Sequence, residues 1–182
     1  MCADAETYFV FNMKPYLGRE EAANRTKTVS LGAEVVLKLV EPLAQSGRNV
    51  TCDNFFTTVQ LADALISKKL TLLSTIRRNN RDVPAEFLAD RSRPAGSSMF
   101  GFSGPKTLVS YVPKRNKAVL LLSTLHNDDK VDEKTQKPEI ITDYNKTKGG
   151  VDTVDQLCKT YTVKRSTRRW PMRDLAGLLW TT

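Results

Sequence analysis

The stretch Asn49–Ile76, NVTCDNFFTTVQLADALISKKLTLLSTI, sets the fold class. Its opening NVTCDN is a short apolar strand that ends on Asp53. Thr57 or Thr58 then caps a helix, because a threonine hydroxyl can accept from the amides left free in a first helical turn. Leu61, Ala62, Leu65 and Ile66 recur at helical spacing and form one apolar face. Lys68 and Lys69 fall where the helix dipole favours cations. LTLLSTI is apolar throughout its middle, the pattern of a strand buried on both sides. Strand, helix, strand in so few residues requires a crossover connection, and that gives parallel pairing.

Reading outward, Leu31, Val35, Val36, Leu39, Val40 and Leu43 place another helix upstream, closed by Gly47. Before it, MCADAETYFVFNMKPYLG mixes aromatic and β-branched residues and turns at Pro15 and Gly18, which predicts a strand or hairpin. Downstream of Arg77 the composition changes. RSRPAGSSMFGFSGP, rich in Gly, Ser and Pro, reads as loop. TLVSYV and KAVLLLSTL read as strands joined by a turn at PKRNK, and HNDDKVDEKTQKP as a charged loop. EIITDY is either a strand or the entry to a helix, and a helix is expected from about Lys148 to Tyr161, with a further short one after Pro171. The class is therefore α/β. Residues 1–77 form the first part of the core, 78–138 an inserted β-rich subdomain, and 139–182 a last helical part.

The 182 residues carry 28 Lys and Arg against 20 Asp and Glu, a formal charge of +8, which favours a polyanionic partner. Three cysteines without a CxxC pair point away from a disulfide framework or an internal zinc cluster. They suit a reducing compartment. AVLLLSTL, from Ala118, is too short to span a bilayer, and no charged-then-apolar leader opens the chain, so neither membrane nor secretion is expected.

Four aspartates are candidates for metal chemistry. Asp152 and Asp155 stand at i and i+3 and share a helix face. Asp53 sits at a strand end, where α/β folds place ligands, and Asp4 is in or beside a strand. Carboxylates of this kind suit magnesium, a hard cation that takes oxygen ligands. Spacing alone does not separate them from solvated surface carboxylates. Gly149 and Gly150 match no phosphate-loop pattern; they allow a sharp helix entry and a close approach of its N-terminus. His126, the one histidine, has no evident partner, and Cys52 reads as a packed thiol.

Between Gln156 and Arg173 there are six Lys or Arg, among them Lys164, Arg165, Arg168 and Arg169, with no acid and with Trp170 interleaved. Cations for phosphate and an aromatic for stacking suit nucleic acid, although Trp170 serves equally well as a core residue. Arg77 and Arg78 begin a second basic cluster that includes Arg81.

TCDNFFTT, STIRRNNRDVP, SRPAGSSMFGF, TLVSYVPK, YNKTKGGVDTVDQLC and RRWPM, in this order, resemble the piggyBac transposase family. The resemblance spans almost the whole chain. It implies an RNase H-like core, a mixed sheet flanked by helices. Asp4, Asp53 and Asp152 then correspond to the family's three catalytic, metal-holding aspartates and Asp155 to the fourth. The cofactor would be Mg2+, with Mn2+ able to substitute. The partner would be double-stranded DNA, cut and joined at TTAA targets by a nuclear, homodimeric enzyme. Arg77, Arg78, Lys164, Arg165, Arg168, Arg169 and Trp170 are the expected DNA contacts. The family's N-terminal regions and cysteine-rich C-terminal domain have no counterpart here, which implies an incomplete copy that is inactive by itself. A domesticated DNA-binding or chromatin-interaction protein without catalysis is the alternative, and a magnesium phosphohydrolase on the same core is another.

Overall fold

Two strands, β3 (Asn49–Cys52) and β4 (Thr71–Thr75), pair in parallel, Cys52 opposite Ser74, across the helix α2 (Val59–Ser67). The crossover read from Asn49–Ile76 is thus formed. The computed structural model describes residues 1–15, 30–88 and 93–161. Residues 1–15 with 149 onward make one unit, and residues 16–148 make the other.

In the larger unit β4 also pairs antiparallel with β7 (Lys117–Ser123). β6 (Lys106–Lys114) and then β5 (Ser98–Ser103) continue the sheet, giving the order β3-β4-β7-β6-β5. The sheet is mixed: one parallel pair, then antiparallel pairs. The β-rich stretch within 78–138 therefore extends, edge to edge, the sheet that β3 and β4 begin.

Successive strand residues point to opposite faces, and Leu72 with Leu73, and Leu120 with Leu121 and Leu122, are all buried. Both faces of β4 and β7 are therefore covered, which is why these strands are continuous apolar runs. On one face Leu73, Val109, Tyr111 and Leu121 form a cluster with Ile140 and Ile141 of helix α3 (Glu139–Thr147). EIITDY is thus helical. Helix α1 (Leu31–Leu39) packs on α2, and α2 on β4.

Three local readings change. α1 ends at Val40, ahead of Gly47, because Pro42 follows and the chain tightens into a 3₁₀ turn over Glu41–Leu43. Lys68 is the cap residue after α2 and Lys69 lies beyond it at φ +53°, so neither is in the last helical turn. SMFGFS, expected as loop, is β5, paired residue by residue with β6 from Ser98–Tyr111 to Ser103–Lys106.

Gly32, in the first turn of α1, touches the turn after β3. A Cβ there would stand 2.9 Å from the Phe55 carbonyl oxygen and 3.1 Å from Phe56 Cα. Alanine normally gains up to about 1 kcal/mol over glycine in a helix. Here the clash is with backbone, and overpacking costs about 1–3 kcal/mol, so the sign should reverse. Gly32→Ala is expected to lower the urea midpoint; a raised midpoint would show that the turn moves aside freely.

In the smaller unit β1 (Cys2–Ala3) and β2 (Val10–Asn12) pair antiparallel, so the segment read as a strand or a hairpin is a hairpin, and its turn lies between Ala3 and Val10, ahead of the turn read at Pro15. Helix α4 (Gly150–Thr160) belongs to the same unit. Residues after 161, including the helix expected after Pro171, lie outside the described residues. Among the described residues no helix is long and apolar enough to cross a membrane.

Candidate active site

Asp53 is the first residue beyond β3, exposed at the C-terminal end of a parallel strand. The chain turns there because its carbonyl oxygen accepts from Phe56 N–H (3.0 Å) and from the Thr57 hydroxyl (3.0 Å). Thr58 caps α2 by accepting from Leu61 N–H (3.0 Å), which releases Thr57 to turn inward. The buried Thr57 hydroxyl also meets Ser74 Oγ, whose single proton is shared between Thr57 Oγ1 and Cys52 O, 2.7 Å away. These bonds rivet the strand end to β4. The carboxylate is oriented too: Asp53 Oδ1 accepts from Asn54 N–H (2.6 Å) and from Thr75 Oγ1 (3.1 Å). Burial pushes the neighbouring Cys52 thiol up to about 11, with its bonds to Ser74 and Thr57 acting the other way, so it stays a neutral packing group.

Asp4 lies at the turn of the β1–β2 hairpin, where its N–H donates to Phe9 O (2.8 Å). Its Oδ1 accepts from Glu6 N–H (3.1 Å), Thr7 N–H (2.7 Å) and Thr7 Oγ1 (2.8 Å). The aspartate thus shapes its own loop, as Asp does in tight turns. Gly150, the second of the paired glycines, has a packing reason. A Cβ added to it would stand 3.4 Å from both Ala5 Cα and Asp4 O, so the first turn of α4 lies directly on the Asp4 backbone. That turn carries Asp152, and Asp155 follows one turn on, both exposed. The segments bearing Asp4 and Asp152 are therefore together in one unit, while Asp53 belongs to the other. Among the described residues no three His, Cys, Asp or Glu side chains gather closely enough to hold a metal ion.

Arg77 and Arg78 follow β4. The Arg77 guanidinium lies over the exposed Phe55 ring, 5.5 Å from its centroid. Arg78 Nη2 donates to Ala118 O at 3.0 Å. Both arginines line an open groove of about 330 Å³, together with Asn54, Thr75, Ile76 and the start of β7. The groove therefore shares Asn54 and Thr75 with the Asp53 carboxylate. Lys164, Arg165, Arg168, Arg169 and Trp170 lie outside the described residues.

His126 has partners after all. Ser123 Oγ accepts from Leu125 N–H (3.1 Å) and His126 N–H (3.2 Å), so its one proton goes to His126 Nδ1 (2.9 Å). Nε2–H then donates to Asp143 Oδ2 at 3.1 Å, and this bonding assigns the tautomer. Lys146, bonded to Asp143 Oδ1 at 2.8 Å, holds the Asp143 carboxyl below its ordinary value, with His126 adding to it. Serine, histidine and aspartate meet here, but Ser123 is wholly buried and its proton is committed. The three clasp the end of β7 to α3 and leave no accessible nucleophile.

Sequence reasoning missed Thr75, Phe55 and the Thr57–Ser74 rivet. The parallel register was the available signal for the first, since Cys52 opposite Ser74 sets Thr75 beside Asp53.

A family model described as Transposase IS4 matches residues 1–182, the whole chain. Among solved structures, the chain is similar to that described as the cryo-EM structure of a piggyBac transposase synaptic complex with hairpin DNA. The TM-score is 0.89 at 47% sequence identity, over 97% of this chain and 37% of that one. The chain thus spans 37% of the length of the protein it matches. The mixed five-stranded sheet flanked by helices is the RNase H-like architecture expected from the motifs.

Proposed function

The chain belongs to the Transposase IS4 family, as a segment of the piggyBac type, and from that premise we propose that it serves metal-dependent cleavage and transfer of double-stranded DNA at TTAA targets. The observation that carries this reading is Asp53, held by Thr75 and Asn54 at a strand end beside a groove flanked by two arginines.

Carboxylate oxygens are the donors a hard divalent cation takes, so the chemistry of the four aspartates fits magnesium. Asp4, Asp53 and Asp152 would hold it, with Asp155 in support, and when bound it supplies activation of the attacking oxygen and charge stabilisation at the leaving oxygen. The chain's own residues do the positioning. Thr75 and the Asn54 amide orient the Asp53 carboxylate before any ligand arrives. Arg77 and Arg78 line the groove that takes phosphate. Lys164, Arg165, Arg168, Arg169 and Trp170 extend the DNA contact. The protein acts in the nucleus and as a homodimer. The matched structure is itself described as a synaptic complex with DNA, which supports the DNA-binding part of this reading.

The test is direct. The chain is titrated with labelled duplex at several salt concentrations, then supplied with magnesium or manganese and a TTAA-flanked DNA end. Binding that weakens steeply with salt is the expected outcome, and metal-dependent nicking would show that the chain is active by itself rather than an incomplete, inactive copy. Binding without nicking is the outcome for an inactive copy and for a DNA-binding protein that kept the core for architecture. No salt-dependent binding would overturn the reading.

A further inference from the structure

The turn between β6 and β7 carries a feature that the site does not use. Lys114 ends β6, Lys117 begins β7, and the register sets them directly opposite each other. Arg115 stands between them in the two-residue tip, with Asn116 at φ +63°, a left-handed conformation that asparagine tolerates. All four residues are exposed. Among the described residues the ion pairs involve Lys38, Lys106, His126, Lys130 and Lys146, and none involves Lys114, Arg115 or Lys117. Like charges directly opposite across a strand pair are destabilising. The free protein therefore holds a local repulsion that a polyanion would relieve.

The hairpin is also joined to the Asp53 groove. Arg78 donates to Ala118 O, next to Lys117, and Ala118, Val119 and Leu120 of β7 form one wall of that groove. Arg78, bonded to Ala118 O, and Lys117, the residue before Ala118, thus link the groove to the hairpin tip along β7. At about 3.3 Å per strand residue, Ala118 to Arg115 spans roughly 10 Å. That reach corresponds to about three base pairs of duplex at 3.4 Å each.

We propose that the β6–β7 hairpin tip is a phosphate-binding finger, in which Lys114, Arg115 and Lys117 grip the sugar-phosphate backbone of duplex DNA flanking the strand held in the groove. The proposal rests on the DNA reading above and adds to it a second contact surface. Its contacts go to phosphate and are indifferent to base sequence.

The experiment replaces Lys114, Arg115 and Lys117 by Gln together, and Arg115 by Gln alone, in the whole chain. Duplex affinity is measured by fluorescence anisotropy across salt concentrations. The triple variant is expected to flatten the slope of log affinity against log salt by about 2–3, and Arg115→Gln by about 1. At 0.1 M salt the triple variant should bind at least about tenfold more weakly. Its thermal midpoint should equal or exceed the parent's, because the opposed lysines no longer repel, and this shows the fold is kept. Lys130→Gln with Lys134→Gln, in the charged loop, should leave the slope as it was. A parent that binds with a steep salt slope and variants that keep it would overturn the finger and spare the DNA reading. A parent with no salt-dependent binding would overturn both.

Discussion

Asp53→Asn should abolish metal-dependent strand cleavage, by about a thousandfold or more, equivalent to about 4 kcal/mol of lost transition-state stabilisation. The substitution keeps the shape and the Asn54 and Thr75 surroundings but removes the negative charge that a hard cation needs. Changes to groups that only orient a metal's ligands typically cost about 10–100-fold in affinity or activity, so a change at the ligand itself should cost no less. Thr75→Val makes the contrast. It removes the hydroxyl that orients Asp53 Oδ1 while leaving the carboxylate, and about a tenfold loss is expected. Manganese binding, followed by its paramagnetic signal, gives a readout separate from cleavage: at least a tenfold weaker affinity for Asp53→Asn and a smaller change for Thr75→Val. Unchanged manganese affinity in Asp53→Asn would remove Asp53 from the metal site.

How far this site could be read in advance depends on which interactions are local. Asp53 was legible because the strand before it, the threonine cap after it and the amphipathic helix follow one another within a few residues. Thr58 was not separable from Thr57 as the cap. The choice is made by Ser74, 17 residues on, which takes Thr57 for a buried hydrogen bond. His126 looked unpartnered for the same reason, since Asp143 is reached only when α3 docks on the sheet. Strand β5 was hidden by its composition. Its Gly101 reads as loop, yet a Cβ there would come within 2.7 Å of the Phe87 ring, so the glycine makes room for packing inside a strand. Asp4 is one carboxylate among several by its position beside a strand, and only motif resemblance gives it a catalytic role. No periodicity precedes it, and the hydrogen bonds that shape its loop come from Glu6 and Thr7.

Leu121→Ala should be the most damaging single truncation in the larger unit. Leu121 is wholly buried in β7, between β4 and β6. It is registered against Thr75 on one side and Val109 on the other. Its side chain joins Leu73, Val109 and Tyr111 to Ile140 and Ile141 of α3. Three interior strands and a helix border the space it would vacate, so little can collapse into it. Leu→Ala at such sites costs about 3–5 kcal/mol, against about 5–15 kcal/mol for a whole domain. Leu121→Met, which nearly conserves volume, should cost less than about 1.5 kcal/mol. Phe102→Ala removes a larger side chain, but one 54% exposed near the end of edge strand β5, and it should cost about 0.5 kcal/mol or less. Urea unfolding measures all three, with the slope against urea held to the parent's value. The loss should also reach the site, because Thr75 both faces Leu121 in the sheet and orients Asp53. Leu121→Ala is therefore expected to weaken manganese binding several-fold even where the chain remains folded, whereas Phe102→Ala should leave it unchanged. Equal losses of stability in Leu121→Ala and Phe102→Ala would mean that the cluster under α3 does not hold this sheet together.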